Sequence, residues 1–318
     1  MFPKPSRTQY TKPPPRRRSC LRPAHQSILL WHVLVFAWYL RNYLGDCAQN
    51  GRLVDLTHTF DEDTIYWITE PNLRLNVTHN GTAPGQDFWY QKDEFSAATH
   101  GGTHLDAPSH FAKGRWSVSD IPLSNLVGPM SVVDISRHVL DNPDRHLTLD
   151  DVLEWERVHG PLPEDGVLMV RTGWSRFWPD KKMYSGTDKD IPHRFPSIQP
   201  EVADWLIRNR KLVGVGIDTM SVDVPNTRPS VHVTLMEQNI YGLENVNNLD
   251  LLPESGAIVY VMPMKLRYAS GAPCRIVAQI DQGGHSASFA LCVSPNYLIL
   301  LMTVLLAVYW LGHEMVGI

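Results

Sequence analysis

The sequence predicts a mixed α/β fold organised as one domain. Three observations carry this. Short β-rich runs recur along the chain, helical signals fall between some of them, and no linker or solenoid-length repeat interrupts residues 52–280. The runs lie at residues 53–56, 73–77, 131–135, 167–170, 212–217, 257–261 and 275–280. Thr148 precedes Leu149, Val152 and Leu153 and has Asp151 three residues on, which is the spacing of a capping box. Ser197 precedes Pro200 and the stripe Val202, Trp205 and Leu206, so a second helix is expected to start there. Strands interleaved with a few helices give an α/β domain, here spanning residues 49–284.

The two ends differ from this body. Lys4, Arg7, Lys12, Arg16, Arg17, Arg18 and Arg22 place seven positive charges before residue 28 with no acid among them. Against an overall charge of −4 they leave −11 for the remainder, an acidic body that excludes nucleic acid as a partner. The basic stretch and the apolar run at 28–40 have the layout of a signal peptide or signal anchor over residues 1–48, with cleavage expected near Ala48 or Gln49. At the other end, Ser286, Ala287 and Ser288 are followed by a nine-residue interval and an uncharged run at 298–311. Small residues, spacer and short apolar tail are the parts of a GPI-attachment signal, so residues 285–318 read as that signal or as a retained tail anchor. Both ends send the domain to the secretory pathway and the cell surface, attached to the membrane through its terminal segments. There the sequons at Asn76 and Asn80 become glycosylation sites. Cys274 and Cys292 are the cysteines outside the leader. Cys292 lies past the expected GPI cleavage point, which leaves Cys274 as a buried thiol.

The chemistry is concentrated in residues 100–110, where His100, His104, Asp106 and His110 fall within eleven positions. Imidazole and carboxylate are ligands that borderline divalent ions accept, which points to a metalloenzyme holding one or two ions per subunit. Zinc suits these donors best, and manganese tolerates them. Gly101, Gly102 and Pro108 argue against a metalloprotease helix, and no Glu lies between His100 and His104. An extended segment would put His104 and Asp106 on one side, because strand side chains alternate. The glycines let the backbone fold so that His100 joins them.

This run resembles the signature of the metal-dependent cyclase family, which includes bacterial kynurenine formamidase and isatin hydrolase. The likeness extends over about residues 53–280, with supporting stretches at 167–174, 215–223 and 240–249. It implies a swivelling β/β/α-type fold that assembles as a homodimer or larger homo-oligomer. It also implies that His232 and Glu244 are further metal ligands. His100, His104 and Asp106 would surround one ion and His232 the other, with the carboxylates of Asp106 and Glu244 available to bridge. His110 matches the family's general acid/base, a role in which histidine titrates usefully. Trp67 falls where the family packs an aromatic against the substrate ring, although Tyr66-Trp67-Ile68-Thr69 lacks the Pro-Gly common after it in the bacterial formamidases.

The activity implied is hydrolysis of a small aromatic amide. An arylformamidase converting N-formyl-kynurenine to kynurenine and formate in tryptophan catabolism comes first. The rivals are a hydrolase of a cyclic amide such as isatin and a secreted metal-binding protein without catalysis. His110 argues against the last, since a protein that only binds a metal has no need of a proton donor.

Overall fold

The computed structural model describes residues 51–67, 69–187 and 193–281. The expected leader and its cleavage region, the tail from residue 285, and Cys292 lie outside these residues. The chain divides into two compact units at Gly51/Arg52, and the described residues from Arg52 onward belong to one of them. Among the described residues, no helix is long and apolar enough to cross a membrane.

The strands are β1 (Gly51–Asp55), β2 (Arg74–Thr82), β3 (Trp89–Ser96), β4 (His104–Asp106), β5 (Val127–Asp134), β6 (Gly166–Arg171), β7 (Leu212–Ile217), β8 (Tyr241–Glu244), β9 (Ala257–Pro263) and β10 (Gly271–Asp281). The helices are α1 (Ser136–Asp141), α2 (Leu149–His159), α3 (Lys181–Ser185), α4 (Pro200–Asn209) and α5 (Ser230–Met236). Eight strands form one sheet in the order β1-β10-β4-β8-β7-β6-β5-β9, and β9 also pairs with β10, which closes the sheet into a barrel. Strands β5 to β8 run parallel, whereas β4, β9 and β10 join them antiparallel. The fold is therefore the mixed α/β domain that the sequence predicts.

Alternation along the parallel strands builds two apolar layers. Val167, Met169 and Val213 point into the barrel with Leu105, Leu243, Val261 and Ile276. Leu168, Val170, Val215 and Ile217 point outward under Val152, Trp155, Val202 and Leu206 of the helices. Burial on both faces explains why β6 and β7 read as unbroken apolar runs. Helix α2 starts with the expected capping box, in which the Thr148 backbone N–H and hydroxyl both donate to Asp151. Helix α4 starts differently. Gln199 is its N-cap and Pro200 fills the first turn, while Ser197, two residues before that cap, has its hydroxyl 2.9 Å from His146 Nδ1. Proline needs no N–H partner at that position, so the helix begins without a side-chain cap.

The β2–β3 hairpin forms a separate two-stranded ribbon exposed along both strands. A register shift between Val77 and His79 sets Asn76 opposite Glu94 and Asn80 opposite Gln91. The two sequons therefore stand exposed on opposite faces of the ribbon. Cys274 is a buried free thiol, and burial pushes its pKa up.

The segment leaving β1 fastens the site to the barrel. Leu56 N–H donates to the Ile276 carbonyl, His58 N–H donates to Thr103 Oγ1, and the Phe60 ring lies over Gly102. Gly102 has φ +58°, and a Cβ there would fall 2.5 Å from the Phe60 ring, so only glycine serves. The His58 ring stacks on Trp178 at 4.2 Å, and burial lowers its pKa from 6.5 to about 4. The native ring thus stays neutral to about pH 4, while the unfolded chain takes up that proton below about 6.5. Stability should consequently fall as pH drops through this window and be insensitive to His58 above it. Replacing His58 by Phe keeps an aromatic on Trp178 and removes the titration. The difference between wild-type and H58F urea midpoints should shift in the variant's favour from pH 7 to pH 4; a constant difference would mean that His58 is not buried neutral.

Candidate metal centre

Strand β4 is the scaffold of the site. It lies between β8 and β10, with His104 directly opposite Glu244 and Asp106 opposite Gly242. Period-two alternation turns His104 and Asp106 to the same side, as the sequence implies, and sends Leu105 into the barrel core. Cross-strand neighbours share a face, so Glu244 joins them. Helix α5 delivers His232 from above, and all four side chains are buried.

The functional atoms converge closely. His104 Nε2 lies 3.1 Å from Asp106 Oδ1 and 3.6 Å from Glu244 Oε2. His232 Nε2 lies 3.3 Å from Asp106 Oδ2 and 3.2 Å from Glu244 Oε1. On the other edge of each ring, His104 Nδ1 donates to the Gly102 carbonyl at 3.0 Å and His232 Nδ1 donates to Asp223 at 2.5 Å. With Nδ1 engaged as a donor, Nε2 carries the lone pair that a metal needs. His100 approaches from the side, with Nδ1 2.5 Å from Asp106 Oδ1 and Nε2 2.9 Å from Ser270 Oγ. His110, in the 3-10 turn Pro108–His110, stacks on His100 with ring centroids 3.9 Å apart.

Among the described residues, two sets of ligand atoms lie close enough to hold an ion: His104, Asp106 and Glu244, and His100, Asp106 and His110. Asp106 belongs to both. The expectation sets His100, His104 and Asp106 around one ion and His232 on the other; by proximity the atoms group otherwise, and His232 is in neither set. Cross-strand pairing sets His104 beside Glu244, while the turn through Gly101 and Gly102 leaves His100 beside His110.

The electrostatics fit a cation. Burial disfavours charge on His104, yet Asp106 and Glu244 outweigh it and lift its pKa to about 9. His232 is likewise raised against burial by Asp106, Asp223 and Glu244. Burial would raise Asp106, but charge on His104 and hydrogen bonds from His100, His104 and His232 hold it well below the usual carboxylate range. Two buried carboxylates thus demand positive charge at the Nε2 atoms facing them, and a divalent ion supplies it there. His110 behaves oppositely: burial first, then the neighbouring histidines, lower it to about 4 and keep it neutral.

These groups form the floor of a cavity of about 450 Å³, whose walls include Ile65, Trp67, Phe111, Phe195 and Met220. Trp67 is 40 % exposed and packs against His193 at 4.7 Å. All six predicted residues of the centre are brought together, Trp67 stands at its rim, and Asn76 and Asn80 sit on the separate hairpin. Sequence reasoning missed Asp223, Ser270 and Asn245. Asp223 lies nine residues before His232 and Ser270 lies on the turn into β10, so no local spacing ties either to the histidine it orients.

The family model described as "Putative cyclase" matches residues 54–224. Isatin hydrolase of Roseibium aggregatum is 31 % identical over 193 residues, covering 58 % of this chain and 72 % of that protein. Kynurenine formamidase of Bacillus thuringiensis subsp. konkukian is 25 % identical over 237 residues, covering 72 % and 98 %. Among solved structures, isatin hydrolase A from Labrenzia aggregata bound to benzyl benzoate superposes with a TM-score of 0.69 at 30 % identity, covering 77 % of this chain and 99 % of that one.

Because Asp106 reaches three histidines, its loss should empty the centre. Asp106→Ala is expected to lose bound metal and activity together. Asp223→Asn, which only weakens the hold on His232, should cost about 10–100-fold in metal affinity. Metal analysis after dialysis checks both, and full occupancy in Asp106→Ala would remove it from the ligand set.

Proposed function

The chain belongs to the cyclase family, as a metal-dependent hydrolase of C–N bonds, and we propose that it cleaves the amide of a small N-aryl amide. The observation that carries this reading is the cavity itself: a buried His/Asp/Glu floor, His110 beside it and Trp67 at the rim. A flat arene can lie along the apolar wall of Trp67, Phe111 and Phe195 with its amide over the floor. The cavity volume suits a ligand of that size.

His104, Asp106, His232 and Glu244, with His100 alongside, would hold a divalent ion, which when bound would polarise a carbonyl and make water more acidic. The protein's own groups do the rest. Asp223 and the Gly102 carbonyl fix the two imidazoles so that neither turns when substrate enters. His110, neutral through burial, takes the proton of the attacking water and passes it to the amide nitrogen. The carbonyl carbon gains the water oxygen, the C–N bond breaks, and the products are an arylamine and a carboxylic acid, which releases its remaining proton to solvent as the carboxylate.

Two substrates share this chemistry. The likeness to isatin hydrolases in both sequence and structure, and the missing Pro-Gly after Trp67, favour a cyclic aryl amide that opens to an amino-aryl acid. N-formyl-kynurenine, as in the formamidases, is the second reading. Parallel turnover of isatin and of N-formyl-kynurenine separates them, and failure on both, with metal bound, would leave the N-aryl amide reading without support.

The proton role of His110 has its own signature. His110→Asn is expected to keep the metal and to slow amide turnover by about 10²–10⁴-fold. An activated aryl ester, whose leaving group departs without protonation, should lose less. Equal losses on amide and ester, or metal depletion, would make His110 a ligand instead.

A further inference from the structure

We propose that Asn245 is a positioning residue of the metal centre, setting the His104 imidazole through the Gly102 carbonyl; the inference rests on the metal-centre reading above. Asn245 follows Glu244 at the end of β8, is 3 % exposed, and contributes nothing to either set of ligand atoms. Its side chain spans two elements. Nδ2 donates to the Gly102 carbonyl at 2.7 Å, and Oδ1 accepts from the Tyr184 hydroxyl at 3.0 Å. That carbonyl is also the acceptor of His104 Nδ1.

The orientation of the amide is forced. A backbone carbonyl can only accept, so the atom facing Gly102 must be the amide nitrogen. Oδ1 then faces Tyr184, whose hydroxyl has one proton and meets only carbonyl oxygens, those of Asn245 and of the Asp218 backbone. The backbone of Asn245 is held as well. Its N–H donates to the Thr219 carbonyl and its own carbonyl accepts from Thr103 Oγ1 at 2.7 Å. Every member of this network is buried, which makes each bond costly to leave unmade.

The Gly102 peptide needs such a clamp. It belongs to a Gly-Gly turn with φ +58°, where the backbone has the widest freedom, and the tautomer of His104 depends on where its carbonyl points. With the carbonyl on Nδ1, Nε2 faces Asp106 and Glu244. Rotation of the peptide would release Nδ1 and let the ring turn away from them. Because Asn245 adjoins Glu244, one strand end places a carboxylate in the centre and fixes the histidine paired across from it.

Asn245 has φ 53°, a region that asparagine, aspartate and glycine all tolerate, so substitutions can be chosen without backbone strain. Asn245→Gly removes both side-chain bonds. Asn245→Asp keeps the acceptor for Tyr184 but turns a carboxylate oxygen toward the Gly102 carbonyl. Tyr184→Phe leaves the amide without its orienting donor. The test is titration of the apo full-length chain with zinc and with manganese, alongside thermal melting of the apo form and the visible absorption of the cobalt-loaded form. We expect Asn245→Gly and Asn245→Asp to weaken metal binding about 10–100-fold, with an altered cobalt spectrum, and Tyr184→Phe to weaken it less. Val152→Ala, buried on α2 and not among the residues that line the cavity, should lower the melting temperature and leave affinity unchanged. If the Asn245 variants melt earlier but bind zinc and manganese as the wild type does, the residue is merely structural and the proposal falls. If both fail to fold, Tyr184→Phe decides by the same affinity measurement. A wild-type chain that binds neither ion would instead overturn the metal-centre reading, and this proposal with it.

Discussion

Two carboxylates buried against two imidazoles, with every pair 3.1–3.6 Å apart, are the constraint around which this domain is organised. Taking a single unpaired ion out of water costs on the order of several kcal/mol, so Asp106 and Glu244 are tolerable only with positive charge beside them. Protons on His104 and His232 meet that need, and a divalent ion in their place would meet it too. The same requirement explains why each ring is held at its far edge. An imidazole that swung away would leave a carboxylate buried and unpaired, which is worse than never having buried the pair.

The barrel supplies the rigidity that such a cluster needs. β4 is only three residues long, yet it is paired on both edges, to β8 and to β10. Its register therefore cannot slip without moving Leu105 out of the core and both polar side chains into it. The antiparallel pairing of β4 with β8 brings residues 104 and 244 side by side across 140 positions of sequence. Helix α5 adds His232 by burying Val231, Leu235 and Met236, so the apolar layer fixes the height of the ligand above the strands.

Local chemistry was legible in the sequence and long-range chemistry was not. The His100–His110 run announces a metal because its donors are close in the chain, and its glycines announce a turn. The unbroken apolar runs of β6 and β7 and the Thr148/Asp151 box are equally local. His232 and Glu244 carry no such signal, and only the family likeness singled them out. Strand β8, which holds Glu244, is four residues long and β3 is rich in charged and polar residues, so neither reads as a strand by alternation. Ser197 looked like a cap because serine before a helix usually is one, but Pro200 starts α4 unaided. The residues that aim the ligands, Asp223, Ser270, Gly102 and Asn245, work through contacts that only the closed barrel creates.

The titration behaviour of the histidines divides their labour. His104 and His232 are raised by the carboxylates they face, so at neutral pH they hold positive charge or a metal and cannot pass a proton back and forth. His110 is lowered by burial and by those same neighbours, so it presents a free lone pair at neutral pH. A proton on His110 is therefore held weakly, as the proposed transfer to a departing nitrogen requires. The buried charge cluster thus also makes the adjacent ring a poor resting place for a proton, which is the property the proposed shuttle requires.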